Sequence, residues 1–192
     1  MDAAHELIWS YSYGAVTIEA ICERAHVKKG SFYYFFDSKV DLAIAAINAW
    51  YAERRHTMEN ILTPAMPPLE RLGRYLDLVV ENQLKVYRET GQVLGCPIFT
   101  LGSEISTQDD ELRTLVQEIL ATGARFFESI VREAHGGGDI DAINPTLKAR
   151  QLWSFYEGTL TRARIENDPE LLRNLSADAF ELIGARPQLA AA

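Results

Sequence analysis

The stretch "TIEAICERAHVKKGSFYYFFDSK", residues 17–39, carries six aromatic or imidazole rings (His26, Phe32, Tyr33, Tyr34, Phe35 and Phe36) beside Lys28, Lys29 and Lys39. A segment destined for a core does not hold so many lysines, and a solvated loop does not hold so many rings. Helical spacing resolves the mixture. Ile18, Ile21, Cys22 and Ala25 line one face of a short helix that Thr17 caps. His26 falls where a tight turn needs a left-handed backbone, which His tolerates better than a branched residue. Val27 is expected to plug the core between two helices. A second short helix, Lys28 to about Tyr34, buries Phe32 and Phe36 and leaves Lys29, Gly30, Ser31, Tyr33 and Tyr34 outward. Two helices so arranged make a helix-turn-helix, whose second helix enters the major groove of double-stranded DNA. Lys28, Lys29 and the tyrosine hydroxyls then reach phosphates, and Gly30 lets the backbone approach closely. Lys39 adds its charge and the first amides of the next helix beside the DNA backbone.

The rest of the chain agrees with an all-α protein. After Ser38, Val40, Ile44, Ile47 and Tyr51 recur at spacings of four, three and four, and Ser38 with Asp41 resembles a capping box. Pro64, Pro67 and Pro68 mark a break. Leu69, Leu72, Leu76 and Val79 then begin a second stripe. Leu112, Leu115, Ile119, Phe126 and Ile130 form a third, stopped by the "HGGG" at 135–138. Asn144 with Pro145, and Asp168 with Pro169, offer N-cap and N1 pairs for helices over about 145–167 and 169–184. The apolar run "VLGCPIFTL" at 93–101 reads as a loop entering a short helix with Pro97 in its first turn. No period-2 alternation and no internal repeat is visible.

Composition narrows the function. The chain has 192 residues, 47% hydrophobic and 24% charged, as in a folded globular protein. No run approaches the roughly 18 apolar residues of a membrane span, and the opening residues do not read as a signal peptide. Cys22 and Cys96 provide neither a disulfide framework nor a metal-ligand spacing, so the expected compartment is the cytoplasm. The net charge is −8, yet Arg24, Lys28, Lys29 and Lys39 outweigh Glu19, Glu23 and Asp37 by one within residues 17–40. Phosphate contacts depend on such local cations rather than on the total. His5, His26, His56 and His135 are scattered, with no nucleophile–base–acid set and no metal spacing, which speaks against an enzyme and calls for no cofactor. Gly136 to Gly138 follows a helix and lacks the Lys-Ser/Thr of a phosphate loop, so it reads as a linker.

The pattern "T-x-x-x-I-C-x-x-A-x-V-x-K-G-S-F-Y-Y-x-F-x-S-K-x-D-L", Thr17 to Leu42, resembles the tetracycline-repressor (TetR) family of transcriptional regulators. Upstream, "DAAHELIWSYSYG" looks like the end of that family's first helix and its glycine turn. The resemblance implies a three-helix helix-turn-helix domain over 1–54 and a larger helical domain over 55–192. Thr17, Lys28, Lys29, Gly30, Ser31, Tyr33, Tyr34 and Lys39 are its candidate DNA-binding residues. His26 stands where the family usually has Gly, Lys28 replaces a small hydroxyl residue, and Phe35 replaces a common His. The basic arm before the first helix is missing from this sequence. Either operator affinity is reduced, or the native start lies upstream of this sequence.

The resemblance also implies that the larger domain binds a small-molecule effector. It further implies a homodimer through the last two helices, matching a palindromic operator. Leu147, Leu152, Phe155, Tyr156, Leu171, Leu175, Leu182 and Ile183 supply apolar faces for that pairing. "GCPIFTLGSEISTQDDELR" at 95–113 looks like the Gly-Cys segment of one TetR subgroup, which includes regulators answering to electrophiles or oxidants. Cys96 precedes Pro97, at a helix start where the dipole favours a thiolate, and Arg162 or Arg164 would assist if close. Two readings stay open, a sensor thiol or a small residue that merely packs. Phe99, Phe126, Trp153 and Tyr156 complete the candidate ligand set. The expected function is a ligand-responsive DNA-binding regulator, most simply a repressor released from its operator. The alternative is a regulator-like small-molecule-binding protein that has lost operator binding.

Overall fold

A computed structural model describes residues 1–61, 65–141 and 144–186, over 57–61 by backbone alone. Pro64, read above as part of a proline break, lies outside them. The helices are α1 (Asp2–Ser10), α2 (Ile18–Arg24), α3 (Lys29–Phe35), α4 (Lys39–Ile61), α5 (Pro68–Thr90), α6 (Pro97–Ile105), α7 (Asp110–Gly136), α8 (Pro145–Glu166) and α9 (Leu175–Ile183), with a 3-10 turn at Pro169–Leu172. The described residues contain no strand, only an isolated bridge between Ile140 and Ala185. Contacts group the chain into two units, Met1–Glu59 with Pro97–Ile119, and Asn60–Cys96 with Leu120–Ala192.

In the first unit, Ala4, Val16, Ile21, Cys22, Phe32, Leu42 and Ala46 form the core, with Leu7, Ile18 and Phe36 packed against it. Thr17 accepts from the Ala20 amide at 3.1 Å, and Ser38 accepts from the Asp41 amide at 3.1 Å, so both hydroxyls cap. His26 adopts φ 55°, the left-handed turn expected of it. Val27 differs from expectation. It is 48% exposed, while its amide bonds to the Cys22 carbonyl at 2.9 Å. That bond closes the turn with the side chain outside, and Val16, Ile21 and Phe32 fill the corner instead. On α4, Leu42, Ala43, Ala46 and Ile47 are buried, whereas Val40, Ile44 and Tyr51 are only half-buried. The inward face therefore lies a fraction of a turn from the one the largest residues suggested, because small alanines allow close helix approach.

In the second unit, α5 contributes Leu69, Leu72, Leu76 and Val79, the stripe legible in the sequence. α7 adds Phe127, Ile130, Val131 and Ala134; α8 adds Leu152, Tyr156, Leu160 and Ala163; α9 adds Leu175, Ala179 and Ile183. Asn144 caps α8 by accepting from the Leu147 amide at 3.0 Å. The single helix expected over 169–184 is broken. Asp168 accepts from the Glu170 amide at 2.9 Å and starts a 3-10 turn, and α9 begins at Leu175. A second correction concerns the residues assigned to pairing with a partner. Leu152, Tyr156, Leu175 and Ile183 are sequestered in this unit's own core, at 4% exposure or less. The face of α8 left outside runs Leu147, Gln151, Ser154, Gly158 and Ile165, at three- to four-residue spacing, with a later gap of seven.

Candidate nucleic-acid interface and sensor core

On the first unit, the expected outward face of α3 is outward. Lys28, Lys29, Gly30, Ser31, Tyr33 and Tyr34 are exposed, as is Thr17 at the cap of α2. A Cβ built on Gly30 meets nothing within 4 Å, so the space beside that backbone is open. Lys28 precedes α3 without a side-chain cap. The cations are not all idle. Lys29 pairs with Glu19 and lies 5.9 Å from the centre of the Tyr33 ring. Its hydrogen bond to Glu19 raises its pKa, and the same bond lowers that of Glu19. Arg24 holds both oxygens of Glu6 at 2.8 Å.

Lys39 is turned further inward than the others. Its ammonium donates to the Tyr13 carbonyl and sits 4.2 Å from the centre of the Tyr13 ring. Partial burial lowers its pKa, against an opposing pull from Glu104. The same turn is gripped from α6, where the Glu104 carboxylate accepts the Tyr13 amide at 2.9 Å and the Gly14 amide at 2.6 Å. A side chain at Gly14 would press on Glu104 Oε1 at 2.8 Å, so glycine admits this contact. Neither Glu104 nor Glu19 stood out in the sequence. Each is a lone carboxylate whose partner lies on another element.

The first unit also holds a half-buried imidazole. His5 stacks on Trp50 with centroids 5.0 Å apart and lies 5.7 Å from Trp9. Burial lowers its pKa to about 4, Asp2 opposing, and Nε2 has no hydrogen-bond partner. It lines a small apolar cleft with Ile8, Ala43, Ile47 and Ile98.

In the second unit, Phe126, Trp153 and Tyr156 of the candidate ligand set come together with Tyr75 and Phe127. The Tyr75 and Tyr156 hydroxyls are 3.1 Å apart, and Phe127 contacts Trp153 and Tyr156 at 5.2 and 5.3 Å between centroids. Trp153 fills the space over Gly123, where a Cβ would meet it at 2.5 Å. Cys96, half-buried, packs against this core and immediately precedes α6. Its thiol acts on Glu157, lowering that carboxyl's pKa against the effect of burial; nothing in the sequence singles Glu157 out. Glu157 is 3% exposed, its Oε2 has no partner, and burial raises its pKa to about 7. Of the two arginines considered beside Cys96, Arg164 donates to the Leu94 carbonyl and lies against Gly95, whereas Arg162 is exposed and pairs with Glu166 at 2.7 Å. Phe99 sits on α6, within the first unit.

The chain's ancestry is written at both ends. Residues 1–46 match bacterial regulatory proteins of the tetR family, and residues 68–178 match the tetracyclin repressor-like C-terminal domain. The chain belongs to the TetR family. It is similar to the transcriptional regulator AcuR of Cereibacter sphaeroides, 28% identical over 91% of this chain and 78% of that protein. It is also similar to the HTH-type transcriptional repressor DhaR of a Mycobacterium strain, 28% identical over 89% and 83% of the two chains. A crystal structure of regulatory protein TetR from Rhodobacter sphaeroides matches with TM-score 0.82 at 27% identity, over 94% of this chain and 95% of that one. As a TetR-family member this chain is a DNA-binding transcriptional regulator and not an enzyme. No helix among its described residues is long and apolar enough to cross a membrane.

Proposed function

We propose that the chain is a cytoplasmic, homodimeric repressor. Residues 1–54 bind one half of a palindromic operator, and residues 55–192 bind an effector and carry the dimer contact. The observation that carries the reading is the outward face of α3. Lys28, Lys29, Tyr33 and Tyr34 stand exposed around the open backbone at Gly30, on a helix held by a buried Phe32. Thr17 and Lys39 flank that face, one as the α2 cap and one at the start of α4. An outward stripe on α8 with the open Gly158 at its middle supports the dimer contact, since small residues let two helices approach. Effector binding lowers operator affinity when it favours one spacing of the two reading heads. A coupling of about 1–3 kcal/mol is typical.

Fluorescence-anisotropy titration against the intergenic DNA flanking the gene, repeated across salt, tests the DNA half. The expected result is saturable binding with a steep salt dependence. Lys29→Ala should weaken binding and reduce the salt slope by about one. Absence of saturable binding would favour a regulator-like protein that binds only small molecules. For the effector half, the cluster of Cys96, Phe126, Trp153 and Tyr156 is the candidate site, and Cys96 is the candidate sensor of electrophiles. If Cys96→Ser releases DNA as readily as the wild type when an electrophile is added, the thiol is a packing residue and the effector binds without it.

A further inference from the structure

The last residues of α3 are dressed in a way that phosphate binding does not explain. Phe35 is 72% exposed and Tyr34 is 82% exposed, and their rings meet edge to face at 4.9 Å. Phe36, the next residue, turns back to pack against Phe32 at 5.8 Å. The chain thus has an inward ring available and still keeps a phenylalanine in water. An exposed phenylalanine carries no hydrogen-bonding group, so it cannot donate to a phosphate oxygen. It shares α3 with the exposed Lys29 and with Lys28 at the cap, which favours a polyanion as the surface that covers it.

We propose that Phe35, braced by Tyr34, reads thymine C5-methyl groups on the floor of the operator's major groove. The methyl is the apolar feature that a duplex presents there, and a Phe contact with it discriminates T·A from other pairs. Phe35 is then a specificity-determining residue, while Lys28 and Lys29 supply affinity without sequence information. The inference rests on the DNA-binding reading above.

The test uses the full-length protein and a duplex enriched by it from a random-sequence library. Each thymine of that duplex is replaced in turn by deoxyuridine, which removes only the methyl. Wild-type protein should lose about 5- to 20-fold in affinity at one or two positions, the range of a modest base-contact loss. Phe35→Ala should bind the parent duplex correspondingly more weakly, with an unchanged salt slope, and should be indifferent to deoxyuridine at those positions. Phe35→Leu should retain part of the discrimination. Circular dichroism of each variant controls for folding, which an exposed side chain should not disturb. Enrichment of a duplex that is bound equally well with and without thymine methyls, or by Phe35→Ala with wild-type affinity, overturns the inference and leaves the regulator reading intact. A change in self-association of Phe35→Ala without a change in DNA binding overturns it too, and assigns the patch to a second copy of the chain. Failure to enrich any duplex defeats both readings.

Discussion

At the scale of single residues, charges that look available in the sequence are already spoken for. Lys29 is paired with Glu19, and a phosphate must compete with that carboxylate. An exposed pair of this kind is weak, because water and salt screen it. Glu19→Gln removes both the competitor and a like charge near the DNA. Its operator affinity should rise about 2- to 5-fold, most clearly at low salt, as read by anisotropy. His5 responds to protons rather than to DNA. Its imidazole titrates near 4 in the folded unit against an ordinary 6.5, so the neutral form is the one the fold prefers. Stability is therefore full above pH 6.5 and is lost as pH falls toward 4, by at most about 3 kcal/mol. Urea denaturation at pH 7 and 4.5 should show that loss, and His5→Phe should flatten it. Glu157 runs the other way, with a folded pKa near 7 against 4.5 unfolded. Its contribution is full below pH 4.5 and fades as pH rises through 7. Glu157→Gln should stabilise the protein at pH 8 and change little at pH 4.

At the scale of elements, the unit that carries the reading helix depends on what grips the turn between α1 and α2. Glu104 on α6 takes two backbone amides, of Tyr13 and Gly14, and the Tyr13 carbonyl in turn takes Lys39 at the start of α4. Two helices thus converge on one turn, and charge-assisted hydrogen bonds to backbone amides are the stronger kind. Glu104→Gln presents an NH2 group to one of those amides. It should cost about 1–3 kcal/mol in the first unit and weaken operator binding, with the melting temperature and the titration as readouts. A larger loss in DNA binding than in stability would mark Glu104 as a residue that positions Lys39. The 3-10 turn at Pro169–Leu172 makes a related point. Asp168 and Pro169 signal a helix start, and the residues that follow do begin to coil. The tighter turn ends before α9, which presents Leu175, Ala179 and Ile183 to the core.

At the scale of the whole molecule, the proposed dimer contact is the α8 face that its own unit leaves bare. Ile165 is 78% exposed there and Leu147 is 45% exposed. Ile165→Glu should leave the monomer's helicity unchanged and shift the protein toward monomer in light scattering, with loss of about 10-fold or more in affinity for a palindromic duplex. Much of the architecture was legible in advance. Local signals carried it: the caps at Thr17, Ser38 and Asn144, the left-handed His26, the apolar stripe of α5, and the family pattern that ends at Leu42. Each of these is decided within a few residues, by hydrogen bonds and dihedral preferences that do not need a partner element. What required the tertiary structure was every choice between neighbours distant in sequence. Val27 went outside and Val16 inside; Leu152 and Tyr156 were taken by their own core rather than left for a partner; Glu104 met Gly14 across some ninety residues of chain. Burial and ion pairing depend on which surfaces meet, and a side chain's type states only what it can do once they have.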